Sequence, residues 1–233
     1  MRNSQVAVLG AFGLVVAVML AAAVWMRLGA EPPPELSGER GSRSVDYSGF
    51  DRVEVSGQWS VTIERGNAWG VVVDAPVELL DDIEVERDGS ELSVEYDGGW
   101  CAGCFRDDQA LKVTITMPAL TSLELSGATV ASFSGFEGRS LVLDVSGAVE
   151  LRGTAGRFEA LTLDLSGAGS VDLGDVSVTN AEVDVSGAGN VTLRMAGGRL
   201  TGDLSGAANL EYSGTVSEEA IEKSGFVNIR RRD

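Results

Sequence analysis

The sequence of 233 residues contains no histidine, two cysteines, five prolines and only 6% aromatic residues. Without histidine the chain cannot pair a serine with the imidazole base that commonly activates it, and two cysteines alone cannot complete a zinc site. Lysine occurs only at Lys112 and Lys223, and 18 basic residues stand against 35 acidic ones. The formal charge of −17 disfavours nucleic acid as a partner and favours cations or polycations.

Charge is absent from one long segment, which extends from Val6 to Met26. A helix of this length spans roughly 31 Å, which matches the hydrocarbon core of a bilayer. We therefore expect residues 1–30 to form one N-terminal transmembrane helix that binds the membrane and leaves the rest outside the cytoplasm, in the periplasm or on the cell surface. A signal sequence cleaved at Leu28-Gly29-Ala30 is the alternative. Residues 31–44, rich in Pro, Gly and Ser, predict a linker.

A tripeptide, Ser-Gly-Ala, recurs through the second half of the chain, and a degenerate Ser-Gly-Phe follows it. The serines are spaced by 19 or 20 residues: Ser126, Ser146, Ser166, Ser186, Ser205 and Ser224. A fixed period of this length is typical of solenoids. Aliphatic residues alternate before each serine, as in Leu141, Leu143 and Val145, which predicts a strand with one buried face.

Each corner glycine suits a turn that needs positive φ, and a second short strand follows each corner. We therefore predict an all-β fold, a right-handed parallel β-helix or solenoid with coils of about twenty residues, behind the N-terminal helix. The segment 45–118 is less regular, with strands at 71–73, 83–87, 91–96 and 111–117 and a hairpin turn at Asp88-Gly89. It belongs either to the same domain or to a separate N-terminal domain.

Three segments of the sequence carry a family resemblance: Phe50-Asp51-Arg52-Val53-Glu54-Val55-Ser56-Gly57, then Val61-Thr62-Ile63, then the repeated Leu-Asp-Leu-Ser-Gly-Ala-Gly. In these segments the chain resembles the putative auto-transporter adhesin head GIN domain family. This resemblance implies a head GIN-type β-helical domain over residues 45–230, found on bacterial envelope proteins and named for adhesins. It implies no catalytic residues. The sequence departs from the family pattern at the loop that contains Cys101 and Cys104.

An acidic residue stands two positions before each corner serine, on the face opposite to the aliphatic residues. This candidate ladder consists of Glu54, Glu124, Asp144, Asp164, Asp184, Asp203 and Glu222. Hard cations such as Ca²⁺ or Mg²⁺ take oxygen ligands, so the ladder is a candidate for weak cation binding or for a cationic polymer. The alternative is a solvated face whose carboxylates accept hydrogen bonds from the corner backbone. No other cofactor is expected.

The two cysteines lie three residues apart in a Gly-rich loop. A catalytic redox pair would open a helix after a strand, which this context does not provide. We therefore predict a structural disulfide between Cys101 and Cys104, formed outside the cytoplasm.

Taken together, these features predict a non-catalytic, adhesin-like binding or scaffold module of the cell envelope. Its expected partners are the membrane, through the N-terminal helix, and an envelope protein, a glycan or a polycation. Two alternatives stay open: a carbohydrate-active enzyme that uses acidic residues on a β-helix, which would need clustered carboxylates around a groove, and a partner-dependent component of an envelope-stress system.

Overall fold

The computed structural model of the chain describes residues 36–96 and 110–232. These residues form one mixed sheet of eleven strands, and a short 3-10 helix at Val77–Asp82. The strands are β1 (Arg40–Val45), β2 (Arg52–Arg65), β3 (Gly70–Pro76), β4 (Ile83–Asp88), β5 (Glu91–Tyr96), β6 (Leu111–Met117), β7 (Ser122–Ser134), β8 (Glu137–Thr154), β9 (Gly156–Ala196), β10 (Arg199–Thr215) and β11 (Glu218–Arg232).

Six strands, β2 and β7 to β11, follow one another in the sheet, and each pairs in parallel with the next. The register brings the corner serines together, for example Ser146 opposite Ser166. β9 has 41 residues and also contacts itself, because a Cβ atom built on Gly187 would lie 2.2 Å from the carbonyl oxygen of Gly167. Residues twenty positions apart in one straight strand would be about 66 Å apart, so β9 must fold back beside itself.

The predicted fold class, a right-handed parallel β-helix, is wrong for the described residues. β1 pairs antiparallel with β3, β3 with β6, and β4 with β5, so the sheet is mixed. The Ser-Gly period does not run between residues 66 and 121. Within the described part of that range, the chain reverses between β2 and β3 and again between β4 and β5. The transmembrane helix predicted for residues 1–30 lies outside the described residues and stays a prediction. Within 36–96 and 110–232, no helix is long and apolar enough to cross a membrane.

One of the reversals was predicted correctly. β4 and β5 form the hairpin expected from Asp88-Gly89, with Ile83 opposite Tyr96 and Gly89 at a φ of 57°. Glycine adopts this left-handed conformation without a steric cost from a Cβ atom. The hairpin joins the six parallel strands through β5, which pairs with the first half of β2.

β1 was not expected as a strand, because its polar sequence lies mostly within the segment predicted as a linker. Its backbone pairs with β3 over six residues. Arg40 adds side-chain contacts: its guanidinium pairs with the carboxylate of Asp74 and donates to the carbonyl of Ala110 at 2.9 Å. Arg43 donates to the carbonyl of Ile83 at 2.6 Å. The contacts of these two arginines therefore help to hold β1 against the sheet, although β1 has few apolar side chains.

Alternating aliphatic residues of the parallel strands form a large part of the core. The residues three and one before four of the corner serines are buried, as their alternation predicts: Leu123, Leu125, Leu143, Val145, Leu163, Leu165, Val183 and Val185. Before the last corner serine the pattern fails, since Ile221 is half-buried and Lys223 is exposed. Each fully buried Leu or Val contributes about 1.5–3 kcal/mol, and the stacked rows share this burial between neighbouring strands. Since successive residues of a strand point to opposite faces, the acidic residues between them point outward.

Candidate functional site

The acidic residues predicted as a ladder lie in one row across the parallel strands, and we call them the acidic row. The row comprises Glu54, Glu124, Asp144, Asp164, Asp184, Asp203 and Glu222. Direct strand register sets these neighbours opposite each other: Glu54 and Glu124, Glu124 and Asp144, Asp144 and Asp164, Asp203 and Glu222. Neighbouring strands lie about 4.8 Å apart, so the row is a regular line of negative charge.

The acidic row faces solvent and is not neutralised by the rest of the described chain. Five of its members are exposed, and Glu54 and Asp184 are half-buried. None of the seven forms an ion pair with another described residue. The side chain of Asp184 accepts a hydrogen bond from the backbone N–H of Asp203 at 2.8 Å. Backbone hydrogen bonding of the carboxylates therefore occurs at one position of the row.

Partial burial and repulsion between neighbours raise the pKa values of two carboxyl groups in the acidic row. Partial burial raises the pKa of Asp164, and the charges of Asp144 and Asp184 raise this pKa further. The pKa of Glu124 is raised in the same way, first by partial burial and then by Glu54 and Asp144. Two unit charges about 4.8 Å apart repel by about 0.9 kcal/mol even in bulk water. The row therefore costs folding free energy, and a cationic partner would relieve that cost.

Two features of the outer surface were missed by the sequence analysis. Glu91 on β5 lies close enough to raise the pKa of Glu124, and its own partner is Arg52, at 3.6 Å. Nothing in the repeat signals Glu91, because β5 reaches the row through tertiary pairing with β2. The second feature is an asparagine pair, in which Asn228 donates its amide N–H to the Oδ1 atom of Asn209 at 2.8 Å. Their spacing of 19 residues could have revealed this pair.

The row has the geometry of a line and not that of a chelating cluster. In the described part of the chain, no three acidic side chains converge closely enough to hold a metal ion. A dehydrated Ca²⁺ ion takes six to eight oxygen ligands at 2.3–2.6 Å, which neighbouring exposed carboxylates on separate strands do not supply. The row is therefore a series of single, evenly spaced carboxylates.

Cys101 and Cys104 lie outside the described residues, so the disulfide between them stays a prediction.

Replacing Asp164 by Asn should increase the free energy of unfolding at pH 7 by less than about 1 kcal/mol, because exposed charges are screened. The pKa of Asp164 is raised in the folded state, so its charge destabilises the fold above this pKa, and the effect disappears as pH falls and both states become protonated. The gain from Asp164→Asn should therefore vanish below about pH 3. Urea titrations at several pH values measure it.

Asp46→Asn is the matched control, because Asp46 is exposed and lies outside the acidic row. We expect it to change the free energy of unfolding less than Asp164→Asn does at pH 7. A gain from Asp164→Asn that persisted at pH 3 would show that the effect is not electrostatic.

Known proteins resemble this chain in sequence pattern and in fold. A family model described as "putative auto-transporter adhesin, head GIN domain" matches residues 49–216. A "putative adhesin" from Bacteroides fragilis NCTC 9343 superposes with a TM-score of 0.65 at 15% identity, and the match covers 87% of this chain and 100% of that one. At this identity the likeness shows the fold alone.

Two further solved structures are more distant. A "putative lipid binding protein" from Parabacteroides distasonis ATCC 8503 has a TM-score of 0.48 at 14% identity, over 85% of this chain and 98% of its own. A "putative adhesin" from Parabacteroides merdae ATCC 43184 also has a TM-score of 0.48, at 12% identity, over 84% and 98%. None of the curated proteins matches this chain.

Proposed function

This chain belongs to the putative auto-transporter adhesin head GIN domain family, and from that premise we propose that it is a non-catalytic binding module outside the cytoplasm that adheres to a polycationic partner. Such a partner would be a cationic segment of an envelope protein or an amine-bearing polymer. The observation that carries the proposal is the acidic row, which is exposed, in register and without ion pairs among the described residues.

Electrostatics supports an extended cation as the partner. Each exposed ion pair contributes only about 0.2–1 kcal/mol, so one contact alone cannot hold a ligand. A row of seven carboxylates allows several such contacts to form at once on one flexible polymer, and their effects multiply as in other multivalent binding. Binding would also offset the repulsion that, after partial burial, raises the pKa values of Glu124 and Asp164.

The arrangement of carboxylates favours binding over hydrolysis. A glycosidase places two carboxylates on either side of the scissile bond, one as acid and the other as base or nucleophile, so their environments must differ. In the acidic row, neighbouring carboxylates lie side by side on adjacent strands of the sheet. Glu124 and Asp164 have pKa values raised by the same two causes. The row therefore lacks the division of roles that this chemistry needs.

The proposal is tested by binding of the full chain to immobilised poly-lysine, measured by biolayer interferometry at several salt concentrations. The triple variant Asp144→Asn, Asp164→Asn and Asp184→Asn should weaken binding about tenfold, since three surface ion pairs contribute about 0.6–3 kcal/mol together and about 1.4 kcal/mol is a factor of ten. The difference should shrink as salt rises.

The matched control removes the same number of charges elsewhere. Glu150, Glu159 and Glu182 are exposed and lie outside the acidic row, so their replacement by Gln should leave binding within about twofold. Equal losses in the two triple variants would mean that only net charge matters, and the proposed role of the row would then be rejected.

A further inference from the structure

β11 ends the sheet and leaves a long edge open. It pairs with β10 along fifteen residues, from Glu218 to Arg232, and no strand of the described chain pairs with its outer side. The N–H and C=O groups along such an edge are a template for another strand, and ordinary strands are only about 5–6 residues long. The free edge of β11 is therefore unusually extensive.

Four apolar side chains lie along this edge. Phe226 is 91% exposed and stands opposite Ala207 of β10. Ile221, Val227 and Ile229 pack on the core from one side but remain half-buried. A further strand laid along β11 would cover these four side chains, since side chains opposite each other on paired strands are in contact.

The charges of β11 are divided between its two halves. Its acidic residues, Glu218, Glu219 and Glu222, occupy the first half, whereas Arg230, Arg231 and Arg232 end the strand. With Lys223, the strand carries four basic and three acidic side chains, although the whole chain has a net charge of −17. An antiparallel copy of β11 would set acidic half against basic half, so the strand is complementary to itself.

We propose that a second copy of this chain docks on this edge, with the two β11 strands paired antiparallel about a two-fold axis at Gly225. Such an interface uses the same surface of both copies, so each residue pair forms twice. The pairs across it are Glu218 with Arg232, Glu219 with Arg231, Ile221 with Ile229, Lys223 with Val227, and Ser224 with Phe226.

The faces of the side chains exclude any shift of this register by one residue. Residues directly opposite each other in an antiparallel pair lie on the same face of the sheet. Ile221 and Ile229 both lie on the core side, since they are half-buried and pack against the core. The axis at Gly225 sets these isoleucines opposite each other, whereas a shift of the register by one residue would set each opposite a residue of the outer face. Charge pairing then favours the axis at Gly225, because it sets two glutamates opposite arginines, whereas a shift by two residues sets only one.

Charge reversal of the full chain tests this interface. Sedimentation equilibrium in one buffer and detergent should give wild-type protein twice the mass of one chain. An acid-half variant, Glu218→Arg with Glu219→Arg, should sediment as a monomer because arginines would face arginines. A basic-half variant, Arg231→Glu with Arg232→Glu, should do so for the converse reason. An equimolar mixture of the two variants should recover the dimer mass, because each restores the other's missing charges.

Glu159→Arg with Glu182→Arg is the matched control, since these exposed glutamates lie on β9, away from the edge, and this variant should remain dimeric. Recovery in the mixture also separates a lost interface from a lost fold. A monomeric wild-type protein would overturn the proposal and would leave the edge to another segment or partner. A dimer that survives both reversals, or a mixture that stays monomeric, would overturn it as well.

Discussion

Gly147→Ala should lower the free energy of unfolding by about 3 kcal/mol or more, because two costs coincide at this corner. The backbone of Gly147 has a φ of 94°, where an L side chain is strained. A Cβ atom there would lie 2.3 Å from the carbonyl oxygen of Gly127 on the adjacent strand. That oxygen belongs to the backbone of a paired strand and cannot move aside without disturbing the sheet.

Gly89→Ala separates the two costs. Gly89 also has positive φ, at 57°, but no atom lies within 4 Å of the place where its Cβ would be. Its replacement should cost only the conformational term, about 1–2 kcal/mol. Urea unfolding followed by circular dichroism measures both variants. If Gly147→Ala proved no more destabilising than Gly89→Ala, the close approach of neighbouring corners would be refuted.

Leu143→Ala should lower the free energy of unfolding by about 2–5 kcal/mol, the range for removing a fully buried leucine from a core. Leu143 has no exposed surface and stands opposite Leu123 on one side and Leu163 on the other. The cavity left by its removal would open between two neighbouring strands, whose hydrogen-bonded backbones limit how far they can close it.

Val142→Ala provides the control on the same strand. Val142 points to the opposite face and is 42% exposed, so its truncation should cost less than about 1 kcal/mol. Thermal unfolding of the two variants gives the comparison. Similar losses at positions 142 and 143 would contradict the assignment of the two faces of β8.

The acidic row and the inward aliphatic residues could be predicted because both follow from period-two alternation beside a recurrent Ser-Gly corner. Once the corners were aligned, Asp144 and Asp164 had to be neighbours if the strands paired in register, and they are. Glu91 could not be found this way, since its place near Glu124 depends on β5 pairing with β2. The open edge of β11 was equally hidden, because only the strand order shows which strand is last.

Strand faces, corner glycines and the Asp88-Gly89 hairpin are readable from residues alone, because each is a local property of a few consecutive positions. Strand direction is different: β3 runs antiparallel to both of its neighbours, β1 and β6, and no local pattern within these strands encodes that. A strand can form backbone hydrogen bonds with either a parallel or an antiparallel neighbour. Which segments pair, and how the connections between them run, therefore decides that the sheet is mixed.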